Sequence, residues 1–155
     1  MKESFSITPR IIAHLGEDLI KNESIALLEL VKNSYDACAT NCIIDFNTNN
    51  EQLESLTITD DGVGMNLNII KNVWLVIGTD FKHKRLEPNC CGRFPLGEKG
   101  IGRLGIHKLG NKITLISKTI EDKEVCLSIN WSTLNQAKKI DDFTIEIDEN
   151  DIPVY

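Results

Sequence analysis

Apolar residues recur at helical spacing from Pro9 onward, with Ile11, Ile12, Leu15 and Leu19 on one side and proline suited to the first turn. A second helix is expected over IALLELVKNSYDACA, residues 25–39, with Ser24 as its cap and good helix formers through its first half. Two short stretches rich in β-branched and aromatic residues, 42–47 and 55–60, read as strands joined by the polar turn NTNNEQLE. After Gly64 the segment MNLNIIKNVWLVI returns to helical period. Residues 78–98 hold three glycines, two prolines and many charges, which predicts a long loop or lid. A helix of about ten residues is expected from Gly100 to Leu109, closed by Gly110. Three strands should follow: KITLISKT, EVCLSINW and FTIEID. This order predicts an α+β domain, with a mixed, mostly antiparallel sheet covered by helices on one face.

Composition narrows the picture. A chain of 155 residues with 41% hydrophobic content can bury one domain core. A net charge of −6 offers no basic surface for a phosphate backbone, so direct nucleic-acid binding is not expected. No apolar N-terminal stretch suggests a signal or membrane span. The five cysteines, Cys38, Cys42, Cys90, Cys91 and Cys126, lack paired metal-site spacing and read as free thiols in a reduced, cytoplasmic setting.

Three stretches could carry chemistry. On the second helix Glu29, Asn33 and Asp36 stand at i, i+4 and i+7, within about 60° of arc. This could be an ordinary solvated face, or a carboxylate base and a hard oxygen ligand facing a pocket. In TITDDGVGM, residues 57–65, a strand runs into Asp60, Asp61, Gly62, Val63 and Gly64, where glycines would admit a flat ligand or merely form a turn. In GEKGIGRLG, residues 97–105, four glycines accompany Lys99 and Arg103 at a helix start, which suits phosphate binding as well as a bare hinge. Gly100-Ile-Gly102-Arg-Leu-Gly105 is formally GxGxxG, but EPNCCGRFPL before it cannot be a buried strand, so a dinucleotide fold does not fit. A P-loop is missed too, because Glu98 separates Gly97 from Lys99 and no Ser or Thr follows.

Taken in order, ELVKNSYDA resembles the N-box, DDGVGM the first glycine box, and GEKGIGRLG the second glycine box and lid of the GHKL superfamily (gyrase, Hsp-chaperone, histidine kinase, MutL), over roughly residues 8–130. The resemblance implies the Bergerat fold, a two-layer α/β sandwich, with ATP bent between helices and sheet and Mg²⁺ as cofactor. It implies Glu29 as general base toward the attacking water and Asn33 as the Mg²⁺ ligand. Asp36 would support the pocket. Asp60 matches the acceptor of the adenine amino group, and Asp61 occupies a variable position. Gly62 and Gly64 would admit the base, with Met65 packed near it. Thr79 and Lys82 resemble a segment that reaches the nucleotide before the lid. Gly100, Gly102, Arg103 and Leu104 would meet the phosphates with backbone N–H groups, with Lys99 or Arg103 adding charge.

Within the superfamily, Glu29 points to a hydrolase, since histidine kinases usually carry Asn or His there. ITPRIIAHLGEDL looks more like the Hsp-chaperone-like and MORC-like ATPases than gyrase or MutL. No Gly-Thr strand occurs before Tyr155, so residues 1–155 are expected to be one domain truncated at its C-terminal end and part of a larger protein. The implied activity is Mg²⁺-dependent ATP hydrolysis that drives lid closure over about residues 78–105 and, in the parent protein, ATP-dependent homodimerisation. The alternatives are a histidine-kinase-type phosphotransfer domain and a non-catalytic interaction module whose nucleotide pocket has decayed.

Overall fold

The computed structural model describes residues 7–77, 88–89, 91–97, 102–134 and 136–151. Helix α1, Arg10–Leu19, starts just after Pro9, whose φ of −58° is already helical. Helix α2, Glu23–Asp36, is capped by Asn22 and not by Ser24: Asn22 is extended and its side chain accepts from Ile25 N at 2.9 Å. Glu23 then sits in the first turn, where a carboxylate suits the positive helix end.

At its other end α2 stops earlier than expected. Cys38 takes φ +64°, Cys38 N donates to Tyr35 O at 3.1 Å, and Ala39 N donates to Ser34 O at 3.1 Å. This is the Schellman arrangement, with cysteine in the left-handed position that glycine usually fills. The missing glycine is why the sequence reads as helix through Ala39.

Strands β1, Cys42–Asn49, and β2, Gln52–Asp60, pair antiparallel, from Cys42 opposite Asp60 to Asn49 opposite Gln52, with a bulge at Asn47/Thr48. The expected eight-residue turn shrinks to two, Asn50 and Glu51. Both have positive φ, as a tight hairpin turn requires. Beyond Gly64, a short helix α3, Leu67–Ile69, continues into a π-helical turn, Ile70–Trp74, closed by Leu75 N to Ile70 O at 2.9 Å. The glycine-rich segment forms a 3-10 helix, Gly102–Lys108, and Gly110 does not adopt the left-handed backbone expected of it.

Strands β3, Lys112–Ser117, β4, Glu124–Asn130, and β5, Ile147–Asn150, form a second antiparallel sheet in that order. A short helix α4, Trp131–Leu134, follows β4 directly. The α+β class therefore holds, but the strands divide into two antiparallel sheets instead of one mixed sheet. Phe143 and Ile145, expected in the last strand, lie before it and pack against the core.

The core gathers on β4. Val125, Leu127 and Ile129 alternate inward and pack on Ile70 of the π-turn, with Met65, Trp74 and Leu115 around them. Ile12 of α1, Leu104 of the 3-10 helix and Leu134 of α4 form a second cluster. Both α1 and α2 pack on the 3-10 helix, so the N-box helix and the second glycine box are neighbours.

Candidate nucleotide site

Helix α2 carries the polar face that the sequence singles out. Glu29 is half-buried and pairs with Lys32 Nζ at 2.6 Å, one turn along the helix. Asn33 is exposed. Asp36 is half-buried and accepts from Leu96 N at 2.7 Å and Gly97 N at 3.3 Å. Its carboxylate thus ties the start of the glycine-rich segment to the end of α2. Asn89 Nδ2 donates to Asp36 O at 3.0 Å, and Arg93 Nη1 to Ala39 O at 2.8 Å. The Arg93 guanidinium also lies 4.8 Å from the centre of the Tyr35 ring.

The strand-borne box meets the same helix. Ser34, buried at 3% exposure, donates from Oγ to Asp60 Oδ2 at 2.8 Å, while Gly62 N donates to Asp60 Oδ1 at 2.9 Å. Val63 N donates to Ala37 O at 2.8 Å. A Cβ on Gly62 would stand 2.7 Å from Ala37 O, so the loop can lie this close to α2 only as glycine. Gly64 has φ +68° and would bring a Cβ to 2.1 Å from Lys118 O. On that second side Met65 N donates to Ser117 Oγ at 2.7 Å and Asn66 Nδ2 to Asp122 Oδ2 at 3.1 Å. The loop DDGVGM is therefore held between the end of α2 and the β3–β4 turn.

Asp61 has a structural task that its variable position does not suggest. It accepts from Thr40 N and Asn41 N at 2.7 and 2.8 Å, and from Thr40 Oγ1 and Asn41 Nδ2 at 2.6 and 2.9 Å. The Asn41 N–H and then the Thr40 hydroxyl hold its carboxyl well below the ordinary aspartate range. Asp122 is lowered likewise, by Thr119 and then Asn66.

The second glycine box contributes a buried Leu104 at 4% exposure and a half-buried Arg103. The Arg103 guanidinium donates to Val73 O at 3.0 Å and Val76 O at 2.6 Å, at the end of the π-turn. Its charge is committed to backbone carbonyls. Gly102 opens the 3-10 helix, whereas Thr79, Lys82, Lys99 and Gly100 lie outside the described residues.

One cavity of about 430 Å³ opens at the first glycine box, lined by Cys38, Asp61, Gly62, Val63 and the β3–β4 turn Lys118–Asp122. Another, about 320 Å³ and apolar, lies among Ile12, Leu75, Leu104, Trp131 and neighbouring residues. Neither includes Glu29, Asn33 or Asp60. What joins the three boxes is α2 with its cap Ala37, which touches the first glycine box through Ser34 and Ala37, Leu96 and Gly97 through Asp36, and the 3-10 helix by packing.

Two readings of the sequence need correction or extension. Cys38 and Cys91 are a disulfide across 53 residues, not free thiols, whereas Cys42 and Cys126 are free. Ser34 was not a candidate, although its place beside Asn33, one residue round α2 from the polar face, was the available signal.

Residues 21–152 match the family described as histidine kinase-, DNA gyrase B-, and HSP90-like ATPase. The chain belongs to this GHKL-type ATPase family. It is 34% identical over 111 residues to a putative type II restriction enzyme, HgiDII, of Herpetosiphon aurantiacus, covering 70% of this chain and 16% of that protein. It is 24% identical over 170 residues to the chaperone protein HtpG of Clostridium acetobutylicum, covering 99% of this chain and 26% of that protein. The chain thus spans about a sixth and about a quarter of these two relatives. No described helix is long and apolar enough to cross a membrane.

Proposed function

We propose that this domain binds ATP with Mg²⁺ and hydrolyses it, as a switch in a longer cytoplasmic protein. The observation that carries the reading is α2 acting as a common wall, with Ser34 on Asp60 at 2.8 Å and Asp36 on Leu96 N at 2.7 Å. In this reading Asp60 accepts from the adenine amino group, and Ser34 and Gly62 N–H aim its two oxygens. Gly62 and Gly64 leave the base room, and Met65 packs beside it. Glu29 takes a proton from the water that attacks the γ-phosphate, while the Lys32 ammonium, 2.6 Å away, orients that carboxylate.

Asn33 fits a Mg²⁺ ligand: it is a neutral oxygen donor, exposed on the α2 face. The described residues contain no group of three or more His, Cys, Asp or Glu that could hold a metal alone, so the cation would depend on the nucleotide phosphates. When bound, it would offset phosphate charge. Backbone N–H groups of Gly100, Gly102, Arg103 and Leu104 serve the phosphates. Because Arg103 is engaged with carbonyls, the cationic contribution falls to Lys99, with Thr79 and Lys82 at the lid's other end. Lid closure would favour homodimerisation in the parent protein.

Calorimetric titration with ADP and a non-hydrolysable ATP analogue, with and without Mg²⁺, tests the reading. Asp60→Asn should abolish saturable binding, and unchanged affinity would remove the adenine assignment. Glu29→Ala should keep binding and lower phosphate release by at least about 100-fold, the usual scale for losing a general base. Turnover equal to that of the parent chain would exclude Glu29 from this role.

A further inference from the structure

The disulfide lies where two parts of the proposed nucleotide site meet. Cys38 closes α2 in a left-handed conformation, which residues other than glycine seldom adopt. Cys91 is exposed and stands beside Gly92, whose φ is +78°. Their Cα atoms are 5.8 Å apart, inside the range that a disulfide spans.

Contacts that need no sulfur–sulfur bond hold the two sides together. Asn89 reaches Asp36 O, Arg93 reaches Ala39 O, and Asp36 receives Leu96 N and Gly97 N. The thiols are therefore brought together by a docked segment before any bond forms. The exposure of Cys91 leaves that sulfur open to a dissolved thiol or disulfide.

We propose that Cys38 and Cys91 are a reversible thiol oxidation site that latches residues 91–97 onto the end of α2 and slows nucleotide exchange. The exchange effect rests on the ATP reading above; the latch itself does not. The oxidant is a low-molecular-weight disulfide of the glutathione type. The Cys91 thiolate attacks one of its sulfurs, expelling one small thiolate and leaving a mixed disulfide on Cys91. The Cys38 thiolate then attacks the Cys91 sulfur and expels the second. Two protein thiols are oxidised, one small disulfide is reduced to two thiols, and a dithiol reverses both steps. In a reducing compartment such a bond would be transient and would report oxidative conditions.

The latch matters because Gly97 begins the glycine-rich segment that leads to Gly102. With the bond closed, the segment cannot leave α2 by breaking hydrogen bonds alone. With the thiols reduced, it can open as lids of this kind do.

The test uses this chain oxidised with glutathione disulfide or reduced with dithiothreitol. Peptide mapping of the oxidised form should recover the Cys38–Cys91 link, and a different pairing would overturn the assignment. Hydrogen exchange at the Leu96 and Gly97 amides should slow at least about tenfold on oxidation, because local opening sets exchange. Equal exchange in both states would overturn the latch whether or not nucleotide binds. Release of a fluorescent ATP analogue should slow by a similar factor on oxidation, and equal release rates with binding intact would overturn the control of exchange. Cys38→Gly keeps the backbone shape and should lose both differences; retention of either would place its cause elsewhere. Failure of the analogue to bind in either state would refute the ATP reading and the exchange effect with it, while amide exchange still decides the latch.

Discussion

The two sheets are stabilised in different ways. In β3–β4–β5 the central strand buries Val125 and Leu127 at 1% exposure each, against Ile70 at 0%. In β1–β2 no residue is buried, and Phe46 and Leu53 are more than half exposed. A two-stranded hairpin is marginal alone. This one is fastened by polar contacts at one end, where Asp60 and Asp61 meet Ser34, Thr40 and Asn41. The three-stranded sheet is held by apolar burial, and the hairpin is held where it delivers the carboxylates. Its fastening and its proposed chemistry share the same few residues.

Three experiments would break or sharpen that contrast. The largest effect is expected in the buried sheet, where Leu127→Ala should cost about 3 kcal/mol in urea denaturation, through lost transfer energy and the cavity left behind. A loss below about 1 kcal/mol would mean that β4 is not the centre of the core.

A smaller effect should come from acid. A carboxyl whose folded pKa is depressed contributes stability that is fully present above its ordinary value and is lost as pH falls through the folded one. Asp61 is such a group, so the urea midpoint should fall on going from about pH 6 to about pH 3, and Asp61→Asn should flatten that dependence. Asp122 is lowered too and will leave a residual slope. An unchanged slope in Asp61→Asn would show that the Thr40–Asn41 contacts do not hold the hairpin. The smallest effect belongs to the hairpin's own side chains: Phe46→Ser should shift stability by no more than about 0.5 kcal/mol, and a loss like that of Leu127→Ala would show the hairpin to be covered in solution.

Much of this was legible from the chain. Helical period marked α2, β-branched runs marked the strands, and three ordered boxes marked the family. The helix end at Cys38 was hidden because cysteine stands where glycine normally signals a stop. Asn22 and Ser24 are both good caps, and only the extended backbone at Asn22 decides between them. No spacing rule could pair Cys38 with Cys91, since that contact depends on how a distant segment docks through Asp36 and Arg93. Arg103 reads as a phosphate contact by type and place, yet its fork meets the carbonyls of Val73, in the π-turn, and Val76, just beyond it. Local pattern shows elements and motifs; which donor reaches which acceptor is a tertiary fact.

The hairpin turn at Asn50 and Glu51 has a practical consequence. The nine residues of β2 place it at the opposite end of the strand from Asp60, about 30 Å away at ordinary strand rise. It packs on no buried cluster and needs only residues that tolerate positive φ. A dye or small insertion carried there would stand clear of both the core and Asp60, making the tip a handle from which to follow the domain without touching its candidate site.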